Sequence, residues 1–223
     1  MEWWHILLIV LASIAIAFVS IVAFYKYFAK RVCEVVGSFI LLLLLCIPMF
    51  VIAIVIKCNS KGPALFKQKR LGRNKKQFTI YKFRTMCDHA YEKGGIASSE
   101  EDSRITKVGK FLRKTSLDEL PQLINIFFGQ MSVIGPRPVL DWEYEEYAKD
   151  EFEPRFKVRP GMFCTVDVKY RASASRELQF QMDAEYAKKM SFGLDIKTFF
   201  GVMKTVFSGK NVYKEESKND GNN

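Results

Sequence analysis

The sequence lacks the short motifs of the common nucleotide-binding and zinc-hydrolase folds. It contains no GxGxxG loop, no Walker A loop and no HExxH pair, so neither a Rossmann nor a P-loop route to nucleotide binding is supported. It has only two histidines, His5 and His89, and each is isolated from other candidate ligands. We therefore assign no functional role to either histidine.

Paired cysteines are also missing. The five cysteines are an odd number, are widely spaced and form no CxxC motif: Cys33, Cys46, Cys58, Cys87 and Cys164. This pattern indicates neither a disulfide framework nor a zinc site. It fits a protein that faces the reducing cytoplasm.

Acidic residues are in deficit, since 24 of them stand against 34 basic residues and give a formal net charge of +10. Most of the excess positive charge falls after residue 60, because the first 56 residues are heavily apolar. A basic domain beside membrane segments suggests an anionic partner, such as lipid headgroups, a phosphorylated substrate or nucleic acid.

The first apolar run, Ile6–Tyr25, is long enough to cross a bilayer. Its 20 residues would form a helix about 30 Å long, which matches the hydrocarbon core. No basic residue precedes the run, and it is too long for the core of a signal peptide. Lys26, Lys30 and Arg31 follow it, so the positive-inside rule places its C-terminal end in the cytoplasm.

A second apolar run, Val35–Ile56, carries Pro48 in its interior. Basic residues flank both of its ends, which indicates that both ends are cytoplasmic. A helix broken at Pro48 could enter one leaflet and return, because proline removes a backbone donor and clashes with the preceding turn. A kinked helix that spans the bilayer is the alternative, and these features alone leave both open.

Two short strands are predicted after the membrane segments, at Ala64–Arg70 and Phe78–Arg84, around a polar turn. Period-2 alternation on the second strand puts Lys82 and Arg84 on the same face as two apolar residues. Cations that continue an apolar face suit an anion site beside a core. Charge on an exposed edge strand is the alternative.

Three later segments carry helical or apolar patterns. Lys107–Lys114 is basic with apolar residues at helical spacing, so it could lie on an anionic bilayer surface or pack on its own core. Leu123–Phe128 is an apolar cluster that could also meet the membrane. Residues 141–153 are acidic with interleaved aromatic residues, which predicts a solvated helix.

Asp118 and Glu119 are the strongest candidates for chemistry, since they are adjacent carboxylates that follow a basic stretch. Asp118 could attack phosphorus as a nucleophile. Glu119 could carry a proton or orient a metal ion. The competing interpretation is structural and is favoured by spacing alone, because Ser116-x-x-Glu119 fits a capping box.

Gly135-Pro136-Arg137-Pro138 predicts a rigid turn that presents one arginine. Flanking prolines fix the backbone and hold the root of the guanidinium in place, which suits bidentate phosphate binding. A proline-rich connection with a surface arginine is the alternative. Arg159-Pro160-Gly161 is a similar but weaker signal.

Several long motifs occur in an order that resembles the monotopic phosphoglycosyl transferases, also called bacterial sugar transferases. The similarity runs from about Lys30 to about Val206. Its landmarks are GPALFKQKR at 62–70, YKFRTM at 81–86, DSRIT at 102–106, GKFLRKTSLDELPQL at 109–123 and MSVIGPRP at 131–138. Motifs of this length in this order are highly specific.

The resemblance implies that Asp118 and Glu119 form a catalytic dyad and that the second apolar segment is re-entrant. Asp118 would attack the sugar-bearing phosphate of a nucleotide diphosphosugar, usually a uridine one, and form a phosphosugar-aspartyl intermediate. Polyprenyl phosphate, such as undecaprenyl phosphate, would then capture the phosphosugar. The resemblance further implies Mg²⁺ near Asp118. It also implies four basic residues that neutralise phosphate: Lys82, Arg84, Arg113 and Arg137.

The chain departs from the family pattern after Arg159-Pro160-Gly161. The usual stretch there contains Thr-Gly, an aromatic residue, Ala-Gln and Gly-Arg, whereas this chain reads MFCTVDVKYR at 162–171. Arg171 persists and is assigned to substrate binding, but the glycines are absent. Without these glycines, the family's geometry cannot be carried over to the local turn or to the nucleotide or sugar pocket.

We therefore predict a mainly helical α+β membrane protein. One N-terminal helix spans the bilayer, a re-entrant helix is bent near Pro48, and a cytoplasmic catalytic domain carries amphipathic interfacial helices. The predicted divisions are residues 1–30, 31–60 and 61–213, with a flexible tail at 214–223. The protein would start a cell-surface glycan at the cytoplasmic face of the bacterial inner membrane, with no nucleic-acid partner.

Two alternatives stay open at this point. One is a membrane-tethered basic module that binds nucleic acid or anionic lipid, with the carboxylates as helix caps. The other is a non-catalytic family member that assists another transferase. Loss of Asp118 and Glu119 would separate them from an enzyme, because a binding module should tolerate that loss. The sugar is not specified, and the oligomeric state is open, with a homodimer as one possibility.

Overall fold

The structure, a computed structural model, describes residues 3–87, 90, 102–147, 149–170 and 173–208. These residues are mainly helical with two small sheets, which confirms the predicted α+β class. The helices are α1 (Trp3–Phe24), α2 (Lys30–Asn59), α3 (Lys107–Thr115), α4 (Gln122–Phe127), α5 (Asp141–Tyr147), α6 (Arg176–Lys189) and α7 (Phe192–Ser208). The strands are β1 (Leu65–Leu71), β2 (Gln77–Phe83), β3 (Ser132–Ile134) and β4 (Gly161–Phe163). Arg171, His89 and the predicted tail 214–223 lie outside the described residues.

Helices α1 and α2 are each long and apolar enough to cross a membrane, by length and composition. A single π-helical turn, Tyr25–Ala29, connects them, and the residues on both sides of it keep right-handed helical geometry. The apolar stretch of α1 is not buried against the rest of the described chain. Such a surface suits a helix whose solvent is lipid.

Helix α2 continues through Pro48 as one element of 30 residues, so the helix is not broken at the proline. A proline removes one N–H donor from the hydrogen-bond ladder, and a helix can bend there without ending. Leu45 before the proline and Met49 and Ile52 after it pack against the rest of the chain. This packing supports the helix across the missing hydrogen bond.

Both ends of α2 contact the folded domain that follows. Near its start, the guanidinium of Arg31 donates to the carbonyl oxygens of Ile126 at 2.7 Å and Phe127 at 3.0 Å. Near its end, Ile56 is buried in a cluster with Phe83 of β2. The helix is therefore an integral part of the domain core as well as an apolar segment.

Strands β1 and β2 form the predicted hairpin. They are antiparallel, with Leu65 opposite Phe83. The turn between them contains Asn74 and Lys75, whose φ angles of 56° and 58° lie in the left-handed region. Asparagine is one of the residues that tolerate this conformation best. The polar turn and both strands are confirmed.

Helices α3 and α4 pack on the core and leave phenylalanines exposed. On α3, Val108 and Leu112 pack around Ile56, whereas Phe111 is 60% exposed. At the end of α4, Phe128 is 71% exposed, while Leu123 and Ile126 inside the helix are buried. Packing on the protein's own core is confirmed for Lys107–Lys114 and is also found for α4, and bilayer contact stays a prediction for both.

The solvated helix predicted at residues 141–153 is confirmed only in its first part, where Asp141, Glu145 and Glu146 are exposed. Helix α5 ends at Tyr147, and Glu143 within it is 1% exposed. The carboxylate of Glu143 pairs with Arg176 of α6 at 2.8 Å. Phe152, in the following 3-10 segment, is buried against aromatic residues. The acidic pattern did not predict the burial of Glu143, because the arginines that neutralise it come from distant segments of the chain.

Candidate active site

Asp118 and Glu119 lie on a short 3-10 turn between α3 and α4. The leucines on either side of the pair pack into the core cluster that contains Ile56 of α2. Apolar anchors of this kind fix the turn without using the carboxylates. The two acids are therefore held in place while their side chains stay available for polar contacts.

Ser116 does not form the capping box that its spacing from Glu119 suggested. Its backbone is left-handed, with a φ of 59°, and it ends α3. Its side chain makes no capping hydrogen bond to the turn that follows. The structural interpretation of this motif is therefore wrong, and Glu119 has a different partner.

That partner is Lys82 of β2, whose Nζ donates to Oε1 of Glu119 at 2.7 Å. Asp118 is half-buried beside this pair. Burial away from water raises the pKa of Asp118 to about 6. Attraction to Lys82 and Arg113 lowers this pKa, and repulsion from Glu119 raises it. Asp118 is therefore a carboxylate at neutral pH that is poorly solvated, which favours nucleophilic attack.

Arg113 is carried by α3 and is oriented from the end of β2. Its Nε donates to the side-chain oxygen of Thr85 at 3.0 Å. Helix α3 approaches the same residue closely at Gly109, where a Cβ atom would lie 1.9 Å from the carbonyl oxygen of Thr85. The glycine therefore allows the contact that brings Arg113 and the dyad turn together.

The two proline-rich segments singled out in the sequence pack against each other. The N–H of Gly161 donates to the carbonyl oxygen of Pro136 at 2.7 Å, and the N–H of Gly135 donates to that of Phe163 at 3.0 Å. A Cβ atom on Gly161 would lie 2.1 Å from the nitrogen of Gly135. Glycine is required here for close backbone approach, and the contact supports the turn that carries Arg137.

The side chain of Arg137 is 43% exposed and lies 3.6 Å from Asp167. Burial raises the pKa of Asp167, Arg137 lowers it, and the negative charge of Glu119 raises it. Glu119 acts in the same way on Asp118. The charge of Glu119 therefore influences the pKa of both Asp118 and Asp167.

Sequence reasoning missed Asp167. It lies in a 3-10 segment, Thr165–Val168, inside the stretch that departs from the family pattern. The sequence shows the departure from the family pattern, but it does not show that Asp167 pairs with Arg137, which lies 30 residues earlier in the chain. The structure thus adds a carboxylate that pairs with Arg137.

Arg84 has a different environment from the other predicted phosphate ligands. It is 6% exposed, and its guanidinium donates to the carbonyl oxygens of Lys61 at 2.5 Å and Ser60 at 2.8 Å. These carbonyls follow the C-terminal end of α2, where helices leave backbone acceptors without partners. A phosphate contact by Arg84 stays a prediction and would require release of these carbonyls. Arg171 lies outside the described residues.

A preformed metal cage is absent from the part of the chain that the structure describes, where no group of three or more histidine, cysteine or acidic side chains is arranged to hold an ion. Mg²⁺ keeps several waters and is usually bound by one or two carboxylates together with substrate phosphates. Asp118 and Glu119 fit that second arrangement. The residues present are compatible with an ion that binds together with a diphosphate.

The family model described as bacterial sugar transferase matches residues 25–209. The chain is 37% identical over 191 residues to the UDP-glucose:undecaprenyl-phosphate glucose-1-phosphate transferase of Klebsiella pneumoniae. It is 34% identical over 187 residues to the UDP-N-acetylgalactosamine-undecaprenyl-phosphate N-acetylgalactosaminephosphotransferase of Aeromonas hydrophila. It is 36% identical over 186 residues to the exopolysaccharide production protein PSS of Rhizobium leguminosarum bv. phaseoli.

The matched regions cover different shares of these relatives. They include 82% of this chain for the Klebsiella and Aeromonas proteins, but only 41% and 44% of those proteins. For the Rhizobium protein they include 78% of this chain and 92% of the relative. The chain thus spans less than half the length of the first two relatives and nearly all of the third.

Proposed function

Because the chain belongs to the bacterial sugar transferase family, we propose that it transfers a sugar-1-phosphate from a nucleotide diphosphosugar, most simply a uridine one, to polyprenyl phosphate. The observation that carries this proposal is the turn on which half-buried Asp118 lies beside the Lys82–Glu119 pair. A poorly solvated carboxylate among fixed cations suits attack on a phosphate.

In the first step, a carboxylate oxygen of Asp118 attacks the phosphorus that bears the sugar. The bond from that phosphorus to the bridging oxygen of the diphosphate breaks, and the nucleoside monophosphate leaves with the bond's electron pair. The product is a phosphosugar joined to Asp118. The raised pKa of Asp118, about 6, leaves it ionised at neutral pH while burial keeps it reactive.

In the second step, a phosphate oxygen of polyprenyl phosphate attacks the same phosphorus. The bond to Asp118 breaks, the carboxylate is regenerated, and a polyprenyl diphosphosugar is released. Glu119 is placed to accept a proton from the incoming phosphate, with Lys82 at 2.7 Å holding its carboxylate. Release of that proton from Glu119 to water then returns the protein to its starting state.

The cations around the dyad neutralise the negative charge of the substrate phosphates. Lys82, Arg113 and Arg137 are available for phosphate oxygens, and Arg137 offers a planar fork on an exposed side chain. Mg²⁺ held by Asp118, with Glu119 beside it, would add a Lewis acid that neutralises phosphate charge. Together these groups offset the repulsion between an anionic nucleophile and anionic substrates.

The topology we propose has α1 across the bacterial inner membrane and α2 re-entrant, with the domain on the cytoplasmic face. The contacts at both ends of α2 with one domain support this arrangement, because a spanning helix would put its ends on opposite sides. A bend of α2 near Pro48 belongs to the same proposal. A cysteine at position 61 in a cysteine-free background should resist an impermeant reagent in intact cells, and labelling there would overturn the model.

The product would start assembly of a cell-surface glycan, in line with the name of the Rhizobium relative, an exopolysaccharide production protein. The sugar is not decided by similarity, because relatives of nearly equal identity are named for glucose and for N-acetylgalactosamine.

The test is a trapping experiment with the purified full-length protein. Incubation with a panel of UDP-sugars and Mg²⁺, without polyprenyl phosphate, should add the mass of one phosphosugar to the peptide that contains Asp118 and release UMP. Later addition of polyprenyl phosphate should discharge the adduct. Asp118→Asn and excess EDTA should each prevent it.

Turnover without any adduct, in the presence of an active donor, would instead indicate direct transfer between the two substrates. Full activity in excess EDTA would show that the basic residues suffice without a metal ion.

A further inference from the structure

The main chain of Arg137 is held on both sides by a pair of buried charged residues. Its N–H donates to Oδ2 of Asp183 at 3.1 Å, and its carbonyl oxygen accepts from Nη2 of Arg155 at 2.8 Å. The same Nη2 donates to the same Oδ2 of Asp183 at 2.7 Å. One carboxylate oxygen and one guanidinium nitrogen thus close a ring around Arg137.

This Arg155–Asp183 pair lies in the interior. Both side chains are 1% exposed, and the guanidinium of Arg155 lies 4.0 Å above the ring of Phe180. The stacking fixes the plane of the guanidinium, and therefore the direction in which Nη2 points. Arg155 comes from the 3-10 segment Asp150–Lys157 and Asp183 from α6, so two separate elements converge on one residue.

Stability alone does not account for this pair. A buried ion pair often stabilises a fold no better than apolar residues of similar volume. Here the guanidinium also leaves Nε and Nη1 buried without hydrogen-bond partners among the described residues, which adds an energetic cost. What the pair supplies is the position of a main chain that Pro136 and Pro138 already restrict.

We propose that Arg155 and Asp183 are positioning residues that set the place of the Arg137 guanidinium, and through it the affinity for the diphosphate of the donor. The proposal rests on the phosphate contact proposed for Arg137. Neither Arg155 nor Asp183 would touch the substrate, because both are enclosed. They act by removing rotations of the main chain that would otherwise move the guanidinium away from the phosphate.

The test measures UDP affinity by calorimetry on the full-length protein with excess Mg²⁺. Arg155→Lys keeps the charge but cannot reach both the carbonyl oxygen of Arg137 and the carboxylate of Asp183, so the Kd for UDP should rise about tenfold. Asp183→Asn should act in the same direction. In an Arg137→Ala background, Arg155→Lys should change the Kd less than twofold, because the residue it positions is gone.

Glu143→Gln is the matched control. Glu143 is also a buried acid, 1% exposed, and pairs with Arg70 and Arg176, but it makes no hydrogen bond to Arg137. Both Glu143→Gln and Asp183→Asn should lower the melting temperature. Only Glu143→Gln should leave the Kd for UDP within twofold of wild type. Where Asp183→Asn does not fold, Arg155→Lys still gives the measurement.

Two outcomes overturn the proposal in different ways. An equal rise in Kd with and without Arg137 would show that Arg155 acts on the fold as a whole, and the phosphate contact of Arg137 would survive. An unchanged Kd in Arg137→Ala alone would overturn that contact and the positioning role together.

Discussion

Asp118 and Glu119 are held by contacts between side chains, whereas Arg137 is held by contacts to its main chain. In the carboxylate half of the site, which comprises β2, α3 and the dyad turn, Lys82 bonds directly to Glu119. In the arginine half, which comprises residues 135–138, 150–168 and α6, the segment that carries Arg137 is held through its backbone, by the backbone of Gly161 and by the side chains of Arg155 and Asp183. Side-chain charges therefore meet directly in the first half, whereas in the second half a buried ion pair acts on the main chain.

The largest effect is expected in the carboxylate half, from Asp118→Asn. This change removes the nucleophile and keeps its size, so transfer should fall at least about a thousandfold. The same change should stabilise the fold by about 1–2 kcal/mol at neutral pH, after allowance for solvent screening. Turnover and thermal melting of the two purified proteins measure both effects.

The sign of the stability change follows from the raised pKa. A carboxyl whose pKa is higher in the folded protein stabilises it most below the unfolded value, 3.8, and that contribution is lost as the pH rises through about 6. At pH 7 ionised Asp118 therefore costs stability, which asparagine relieves. A variant that is both inactive and less stable than wild type would contradict this account.

The arginine half should be broken by Gly161→Ala. The added Cβ would meet the backbone of Gly135, and overpacking against backbone costs about 3 kcal/mol. The Kd for UDP should rise while the pH dependence of any remaining turnover stays unchanged, because the dyad is not displaced. Gly193→Ala is the control, since its added Cβ would meet no atom of the described residues within 4 Å beyond its chain neighbours and the backbone of its own helix.

A milder change in the same half is Arg137→Lys. Lysine keeps the charge but loses the planar fork, so donor KM should rise about tenfold with a smaller change in kcat. Wild-type kinetics would leave Arg137 as a surface residue that pairs with Asp167.

The smallest expected effect is on the pH dependence of turnover, which tests the electrostatics of the carboxylate half. With a pKa of about 6 for Asp118, kcat/KM should be flat above pH 7 and fall by about half near pH 6. Glu119→Gln should move this acid limb to lower pH, because it removes a neighbouring negative charge. An acid limb that does not move would show that another group controls it.

The sequence predicted best where the partners are close in the chain or the pattern is periodic. The hairpin from Leu65 to Phe83, the helix at 107–115 and the apolar helix α1 all follow from local pattern and are present. A common site for Asp118, Glu119 and Lys82 was implied by the family resemblance. Spacing alone favoured the capping box at Ser116, since it carries no information on the left-handed backbone there.

What could not be predicted depends on contacts across the fold. The family resemblance assigned Arg84 to phosphate, and strand alternation could not reveal that the segment after α2 offers its guanidinium two carbonyl oxygens. Glu143 was placed in solvent, but arginines from β1 and α6 make its burial possible. Asp167 became part of the site only when the chain brought it to Arg137. Each case depends on a partner that is not near in sequence.

The start of α2 gives the fold an order of assembly. The carboxylate of Glu34 accepts from the hydroxyl of Ser132 and from the N–H of Val133 at 2.9 Å, 98 and 99 residues later in the chain. On the ribosome, the apolar helix is therefore synthesised long before the strand that donates hydrogen bonds to the acid at its start. Until β3 is made, the carboxylate of Glu34 lacks these two donors, which favours a position of the helix start beside water or lipid headgroups. A fragment that begins after α2 would lack this acceptor and would expose the edge of β3, which makes it a poor candidate for soluble expression.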